Sequence, residues 1–324
     1  MKYIIDTQHC TVSYPASNKG GTSSTVLNDI SLQVQPGEFI TVVGTSGCGK
    51  STILRLVLGS QFPTTGVVTV NDKSVTRVTR DTGIVYQNYS LFPHLTMLEN
   101  IAAGPILEGT GLLERLLCKP IVAVLDLLKA NALLKRIRYS RIRDNARAQA
   151  RELAKRCGLE PEKNGNKYPF ELSGGMRQRV AIAQSLAMKP SILLMDEAFS
   201  GLDVHCKQEM RDFIHEQWKE NKTTVFFVTH DLDEAVMLGT RLICLSQHWT
   251  DEEGKPGVGA KIVIDRKVAG GDELPSKFVD SEEFTQLVER ISATAMQKTN
   301  PISITAFELT HPDACKAKEQ LNAS

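Results

Sequence analysis

The stretch "FITVVGTSGCGKSTILRLVLG", residues 39–59, decides the fold of this chain. It opens with an apolar run typical of a buried strand, continues through a glycine-rich segment, and ends in residues with helical spacing. Within it, Gly44, Gly49, Lys50 and Ser51 match the pattern G-x-x-x-x-G-K-[ST], which predicts a phosphate loop when a strand precedes it and a helix follows. The alternative is a glycine-rich turn that carries a lysine by chance.

Each residue type of this segment suits a phosphate. Glycines let backbone N–H groups close around phosphate oxygens, and the N-terminus of the following helix adds a positive dipole. We expect Lys50 to reach the β- and γ-phosphates and the Ser51 hydroxyl to ligate Mg²⁺. The predicted nucleotide-binding segment is continuous and consists of Gly44, Thr45, Ser46, Gly47, Cys48, Gly49, Lys50, Ser51 and Thr52.

A second candidate site element is "ILLMDE", residues 192–197, in which four apolar residues precede two acids. Such a strand carries Asp196 to the carboxyl edge of the sheet, where open α/β sheets bind ligands. Asp196 is therefore predicted to hold Mg²⁺, and Glu197 to act as the general base for an attacking water. An acidic strand end at a solvated loop is the alternative interpretation.

The remaining pattern predicts an α/β protein. Strands are expected in "GVVTV", "TGIVYQ", "TTVFFVTHD" and "RLICLS", and a helix is expected in "GGMRQRVAIAQSLAMKP", ending at Lys189-Pro190. Alternating strands and helices indicate a largely parallel sheet that is covered on both faces. Residues 17–25, "SNKGGTSST", are predicted to form a polar loop.

Two regions have a different character. Residues 105–156 are helical in pattern, rich in Leu and then in Arg, with Pro120 predicted to kink or break the helix. After Ser246 the pattern weakens, although "GAKIVIDRKV" is typical of a strand and "SEEFTQLVERISATAM" of a helix.

Composition narrows the class of protein. The 324 residues carry a formal net charge of +1, which disfavours a polyanionic partner such as nucleic acid. Seven scattered cysteines without a C-x-x-C pair indicate reduced thiols in the cytosol. The N-terminus lacks the apolar run of a signal peptide, and no run approaches the roughly 20 residues needed to span a bilayer. The expectation is a protein that works from the cytosolic side.

A second glycine motif, "LSGGM" at Leu172–Met176, needs its own explanation because one nucleotide requires only one phosphate loop. Together with "GTSGCGKST", "ILLMDE" and "VTHD", it occurs in the order and rough spacing of the ATP-binding-cassette (ABC) ATPases, which the chain resembles from about Tyr3 to Ser246. The resemblance implies a phosphate-loop NTPase fold with a mixed sheet core, an antiparallel β subdomain and a helical signature subdomain.

The resemblance also explains the second motif. In this family two cassettes pair head to tail, and the phosphate loop of one copy and the signature of the other enclose one ATP. Ser173, Gly174 and Gly175 precede a predicted helix and would offer backbone N–H groups to the γ-phosphate on the partner copy. ATP then holds the dimer together, and hydrolysis releases it.

Four further residues match family positions one at a time. Tyr14 resembles the aromatic residue that stacks on adenine, although it is also explained as an ordinary strand aromatic. Gln87 is similar to the glutamine that contacts Mg²⁺ and the attacking water. His230 matches the histidine at the γ-phosphate, with a purely structural histidine as the alternative, and Asp203 matches the loop that couples the two sites of the dimer.

The chain departs from the family pattern at Met176, Ala198 and Gly201, where Gln, Pro and Ala are common. None of these departures removes a reacting group, so the resemblance implies an active ATPase that uses ATP and Mg²⁺.

The segment "YQNYSLFPHLTMLENI" resembles importer subunits, and the signature and "VTHD" regions look most like the subfamily for nitrate, sulfonate and taurine. The implied function is the energy-coupling ATPase of an importer for a small anionic solute, peripheral on the cytoplasmic side of the inner (plasma) membrane. Implied partners are a second ATPase copy or paralogue, a transmembrane permease and, through it, a solute-binding protein. The alternatives are an exporter or lipid-extraction complex and a soluble cassette that acts on ribosomes or DNA.

The predicted domains are a nucleotide-binding domain at 1–246, with a helical subdomain at about 88–190, and a C-terminal extension at 247–324. The stretch of about 105–156 is longer than this subfamily usually has. It is interpreted either as extra helices on the subdomain or as a contact with the permease or anionic lipid.

Overall fold

The computed structural model describes residues 2–15, 23–109, 129–268, 282–295 and 301–314, and for residues 129–138, 283, 294 and 295 it describes the backbone alone. Within this part of the chain, no helix is both long and apolar enough to cross a membrane. The predicted kink at Pro120 and most of the Leu-rich stretch lie outside the described residues.

The chain divides into two units. The first comprises residues 1–87, 191–198 and 214–324, and the second comprises residues 88–190 and 199–213. The strands are β1 Ile5–Tyr14, β2 Ser24–Val34, β3 Phe39–Gly44, β4 Thr65–Val70, β5 Lys73–Ser74, β6 Thr82–Val85, β7 Ile192–Asp196, β8 Thr224–Val228, β9 Arg241–Ser246, β10 Trp249–Thr250, β11 Lys261–Lys267, β12 Ile302–Ser303 and β13 Glu308–Leu309. The helices are α1 Lys50–Leu58, α2 Met97–Gly109, α3 Lys129–Arg156, α4 Pro161–Asn164, α5 Gly174–Leu186, α6 Val204–Asn221, α7 Leu232–Leu238 and α8 Glu282–Ala295.

A seven-stranded sheet in the order β13-β11-β9-β3-β8-β7-β6 forms the centre of the first unit. Its neighbouring strands are parallel except for the antiparallel pair β11–β9, so the sheet is mixed, as the fold prediction stated. Strands β3, β8 and β9 are buried along their whole length, which explains their nearly continuous apolar sequences.

A second sheet in the first unit is antiparallel and has the order β2-β1-β4-β5. It places β2 beside the nucleotide-binding segment of the sequence, because a Cβ on Gly49 would lie 2.6 Å from Leu27 and 3.1 Å from Val26. The predicted polar loop at residues 17–25 is wrong at its end: Ser24 and Thr25 belong to β2 and pair with Tyr14 and Ser13. Ladder pairing with β1 overrides their turn propensity, and residues 16–22 are outside the described range.

The region after Ser246 contributes to the first unit. Strand β11 pairs with β9, β13 pairs with β11, and α8 buries Phe284, Leu287 and Ile291 in an apolar cluster with residues of β9. The strand and the helix predicted for this region are therefore present.

The second unit is helical. Ala146, Ala150 and Ala154 recur every fourth residue on α3 and are buried, while Arg143 and Arg151 are exposed, so one face of this basic helix is apolar. Helix α5 ends at Leu186 rather than at Lys189-Pro190. Ala187 is the C-cap, and Lys189, directly before Pro190, is in the left-handed region with a φ of 49°, so the chain leaves the helix before it reaches the proline.

Candidate functional site

The phosphate-loop segment has the strand–loop–helix context that its pattern requires. Strand β3 ends at Gly44, α1 begins at Lys50, and Gly49 caps that helix with a φ of 97°. A Cβ on Gly44 would collide with the carbonyl oxygen of Leu245 and lie 2.7 Å from the Cys48 Sγ. Only glycine therefore fits at either end of the loop.

Lys50 is almost fully buried, and its ammonium group is held by the loop itself. Its Nζ donates to the carbonyl oxygens of Gly44 at 2.8 Å and of Thr45 at 3.0 Å. The Cys48 N–H also donates to the Thr45 carbonyl, at 3.2 Å. Burial raises the pKa of the Cys48 thiol, so this side chain acts as a neutral filler beneath the loop.

Ser51 and Asp196 meet where α1 begins and β7 ends. Burial raises the pKa of Asp196, and the nearby Ser51 hydroxyl opposes this rise. The neighbouring Glu197 charge raises that pKa further. Two oxygen donors are thus adjacent in a half-buried place, which is the ligand chemistry that Mg²⁺ prefers.

Glu197 lies at the centre of a polar constellation. Its Oε2 accepts a hydrogen bond from Gln87 Nε2 at 2.9 Å and lies 3.5 Å from His230 Nδ1. These side chains come from the ends of β6, β7 and β8, which are adjacent strands of the sheet. The register that pairs Asp196 with Val228 brings the β7 and β8 ends level, so distant parts of the sequence meet at one carboxylate.

The backbone of Glu197 is in the left-handed region, with a φ of 48°. This conformation costs a non-glycine residue about 1–3 kcal/mol and persists only where the surroundings enforce it. Here the Glu197 N–H donates to the Val228 carbonyl at 2.9 Å, which fixes the turn after β7. Strain of this kind is concentrated at functional sites, and the catalytic role of Glu197 stays a prediction.

In the second unit, the signature residues form the start of a helix. Ser173 is the N-cap of α5, and its Oγ accepts a hydrogen bond from the Met176 N–H at 3.2 Å. A Cβ on Gly174 would meet nothing within 4 Å, and one on Gly175 would touch Leu202 at 3.4 Å. The space beside Gly174 is therefore open, and the N–H groups and dipole of a helix N-terminus such as that of α5 favour an anion.

Asp203 caps the next helix of that unit. Its Oδ1 accepts a hydrogen bond from the Cys206 N–H at 2.9 Å, and backbone hydrogen bonding of this kind lowers the pKa of Asp203. The side chain therefore stays charged at the start of α6. This hydrogen bond explains Asp203 as a helix cap, and its role in coupling the two ATP sites of a dimer stays a prediction.

Tyr14 is at the end of β1, opposite Ser24 of β2, and 41% of its surface is exposed. Its hydroxyl accepts a hydrogen bond from Gln61 Nε2 at 2.6 Å. Since β2 also supplies Val26 beside Gly49, Tyr14 belongs to the strand pair that flanks the loop.

The structure adds one contact that the sequence analysis missed. The side-chain Nε2 of Gln247 donates to the Gly47 carbonyl at 2.7 Å, although 200 residues separate them. A lone glutamine after a strand carries no motif signal, so sequence alone could not have found it.

The mixed sheet, the loop between β3 and α1, and the carboxylates at the end of β7 define a phosphate-loop nucleotide hydrolase. Residues 27–200 match the family model described as ABC transporter. The chain therefore belongs to the ABC transporter family as an ATP-hydrolysing, ATP-binding cassette, and the predicted family, fold class and ATPase activity are confirmed.

Curated relatives and solved structures agree with this assignment. The chain is 34% identical over 276 residues to the nitrate import ATP-binding protein of Synechocystis sp., covering 84% of this chain and 88% of that one. It is 36% identical over 237 residues to the aliphatic sulfonates import ATP-binding protein of Bacillus subtilis, covering 73% and 76%. A dimeric ATP-binding cassette in a post-hydrolysis state, bound to ADP and Pi, superposes with a TM-score of 0.62 at 28% identity, covering 82% of this chain and 99% of that one.

Proposed function

We propose that this ATPase is the energy-coupling subunit of an importer for a small anionic solute of the nitrate, sulfonate or taurine type. One observation carries the catalytic part: Gln87 and His230 converge on a single oxygen of the Glu197 carboxylate, near the metal-ligand pair Ser51 and Asp196. The importer part is supported by the two relatives, whose names describe import of nitrate and of aliphatic sulfonates.

In this proposal ATP binds to the first unit, with its adenine on Tyr14 and its phosphates on the segment from Gly47 to Thr52. Lys50, which now bonds carbonyl oxygens of its own loop, exchanges them for β- and γ-phosphate oxygens. Mg²⁺ would be held by Ser51, by Asp196 and by the amide oxygen of Gln87, all oxygen ligands. When bound, it would neutralise part of the phosphate charge.

Glu197 is proposed as the general base that takes a proton from the attacking water. Gln87 donates to its carboxylate and so keeps the proton-accepting oxygen in place. His230 is mostly exposed, with 67% of its side chain accessible, so its ring is free to approach a γ-phosphate while staying next to Glu197.

The ATP is proposed to be shared between two copies of the chain, or between this chain and a paralogue. Ser173, Gly174 and Gly175 of one copy would close over the nucleotide on the other, and Asp203 would couple the two sites. The open space beside Gly174, at a helix N-terminus, supports an anion from outside the chain at this point. Hydrolysis would convert the shared ATP into ADP and phosphate, and the two copies would then separate.

The permease contact is proposed at the segment after Gln87. Phe92 is 43% exposed, and its ring contacts that of His94 with centroids 6.0 Å apart. The buried Asn100 fixes this loop, because its Oδ1 accepts from the Phe92 N–H at 2.8 Å and its Nδ2 donates to the Phe92 carbonyl at 3.1 Å. An aromatic side chain on a rigid loop is a typical anchor for a partner. We place the chain peripherally at the cytoplasmic side of the membrane, with a solute-binding protein upstream of the permease.

The predicted division into a nucleotide-binding domain at 1–246 and an extension at 247–324 is retained as a proposal.

The test is an affinity pull-down of the tagged chain from detergent-solubilised membranes, with partners identified by mass spectrometry. We expect recovery of a polytopic permease, and at least about tenfold less of it with Phe92→Ala, because truncating a buried anchor costs 1.4 kcal/mol or more. Phe62→Ala is the matched control, since Phe62 is also exposed but lies in the first unit. Because Asn100 holds the loop through backbone groups, the unfolding midpoint should not change.

Recovery of an export or lipid-extraction complex, or of soluble partners alone, would contradict the importer proposal. The ATPase assignment, which rests on the family and the site, would stand in either case.

A further inference from the structure

The end of β9 and the residue that follows this strand contact the phosphate loop at two places. Gly44 pairs with Leu245 in the sheet, and the Leu245 carbonyl closely approaches the Cα of Gly44. Two residues further on, Gln247 Nε2 donates to the carbonyl oxygen of Gly47 at 2.7 Å. This second contact reaches Gly47, midway between the end of β3 at Gly44 and the start of α1 at Lys50.

The hydrogen bond from Gln247 to the Gly47 carbonyl also fixes the N–H group of the same peptide unit. The Gly47 carbonyl and the Cys48 N–H belong to one planar peptide unit and point in opposite directions. Holding the carbonyl outward therefore holds the Cys48 N–H on the inner side of the loop, where it donates to the Thr45 carbonyl at 3.2 Å in this structure. This N–H is one of the loop donors proposed to bind phosphate.

Gln247 is itself held by the C-terminal extension. The His248 carbonyl accepts from the Ile302 N–H at 3.1 Å, and Trp249 of β10 pairs with Ile302 of β12. The Trp249 ring packs edge-on against Phe307, and its Nε1 donates to the Gly259 carbonyl at 2.8 Å. Residues more than 50 positions downstream thus fix the two residues that follow Gln247.

We infer that Gln247 is a positioning residue of the ATPase site, which pre-orients the Cys48 N–H for phosphate, and that the segment of residues 301–309 holds Gln247 in place. The inference rests on the proposed phosphate-binding role of the loop.

Gln247→Ala is expected to raise both the Kd for MgATP and the KM about two- to tenfold, the range for one lost hydrogen bond, with kcat unchanged. Gln247→Glu should raise them further, because a carboxylate does not donate and repels phosphate. Gln8→Ala is the control: Gln8 is exposed, whereas Gln247 is half-buried, and the Gln8 amide also donates one hydrogen bond, to Asp6 at 2.7 Å. The unfolding midpoints of all three variants should agree with the wild type.

Phe307→Ala tests the role of the extension in the same assay. It should raise KM in the wild-type background and have no further effect in the Gln247→Ala background, since residues that act through one contact are not additive. An equal rise in KM in both backgrounds, or no rise in the wild-type background, would overturn the role of residues 301–309 in holding Gln247.

Lys50→Ala separates the inference from the proposed function. If Lys50→Ala raises the Kd for MgATP and Gln247→Ala does not, or if Gln247→Ala lowers kcat at constant KM, the inference is wrong and the phosphate loop stands. If Lys50→Ala leaves the Kd for MgATP unchanged, the proposed function fails as well.

Discussion

The variant Glu197→Gln is expected to hydrolyse ATP about 10²–10⁴-fold more slowly than the wild type, the usual contribution of a positioned general base. The glutamine keeps the size of the side chain, and its amide oxygen can still accept from Gln87 Nε2, whose bond to Glu197 is 2.9 Å long. It no longer takes a proton from water. Steady-state phosphate release measures the effect.

Glu197→Gln should slow hydrolysis without weakening ATP binding. Because the phosphate loop is untouched, the Kd for MgATP should stay near its wild-type value, and ATP should accumulate in a stable dimer detectable by light scattering. Glu252→Gln is the control, since Glu252 is an exposed glutamate away from this constellation. Hydrolysis by Glu197→Gln at the wild-type rate would show that Glu197 is not the base.

The second large effect is expected on stability, at the buried ion pair of Arg241 and Asp265. Arg241 is 1% exposed, and it donates from Nε and Nη2 to the two carboxylate oxygens of Asp265 at 2.8 and 2.7 Å. Asp265→Ala should lower the free energy of unfolding by about 3–5 kcal/mol, because it leaves a buried guanidinium without its bidentate partner. Glu38 accepts only one hydrogen bond from Arg241, at 3.3 Å from Nη1, and so does not replace the bidentate contact with Asp265.

Urea unfolding followed by tryptophan fluorescence measures this loss. Both tryptophans of the chain, Trp218 and Trp249, lie in the first unit together with the pair, so the signal reports the unit in question. The double variant Arg241→Met with Asp265→Leu should recover part of the stability, since it removes both charges of the pair while Glu38 loses its contact with Arg241. A loss below about 1 kcal/mol for Asp265→Ala would mean that the pair behaves like a solvated surface bridge.

Buried charge also affects the neighbouring His311. It is 3% exposed, with its Nε2 3.5 Å from Glu38 Oε1, and burial together with the Arg241 charge lowers its pKa to about 4. His311 is therefore neutral at neutral pH and does not compete with Arg241 for carboxylates.

The parts of this protein that were predictable from sequence are contiguous. The phosphate loop, the acidic end of β7 and the signature each place their chemistry within a few residues, so local pattern and spacing are enough. Helix α1 likewise ends where the quoted stretch ends, because Gly59 follows Leu58 in the left-handed conformation that glycine adopts readily, with a φ of 79°.

The parts that were missed depend on sheet register between distant segments. Gly47 and Gln247, which form a hydrogen bond, are 200 positions apart. The Arg241–Asp265 pair forms across the antiparallel strands β9 and β11, and neither residue lies in a recognisable motif. Single-sequence patterns contain no information on such pairings, and the same limit explains why Ser24 and Thr25 were assigned to a loop.

The central claim is that the two glycine motifs act between copies, and mixing two inactive variants tests it most directly. Lys50→Ala disables the phosphate loop. Gly174→Asp places a carboxylate where the partner's γ-phosphate should lie, without disturbing its own chain, since the space beside Gly174 is open and an acid suits the first turn of a helix. Each variant alone should be nearly inactive.

In an equal mixture, half of the dimers are mixed, and each mixed dimer has one intact site built from the loop of one chain and the signature of the other. The account predicts recovery of about a quarter of wild-type ATPase activity. Lys50→Ala mixed with the double variant Lys50→Ala, Gly174→Asp should stay inactive. A Lys50→Ala and Gly174→Asp mixture no more active than its components would contradict the shared site.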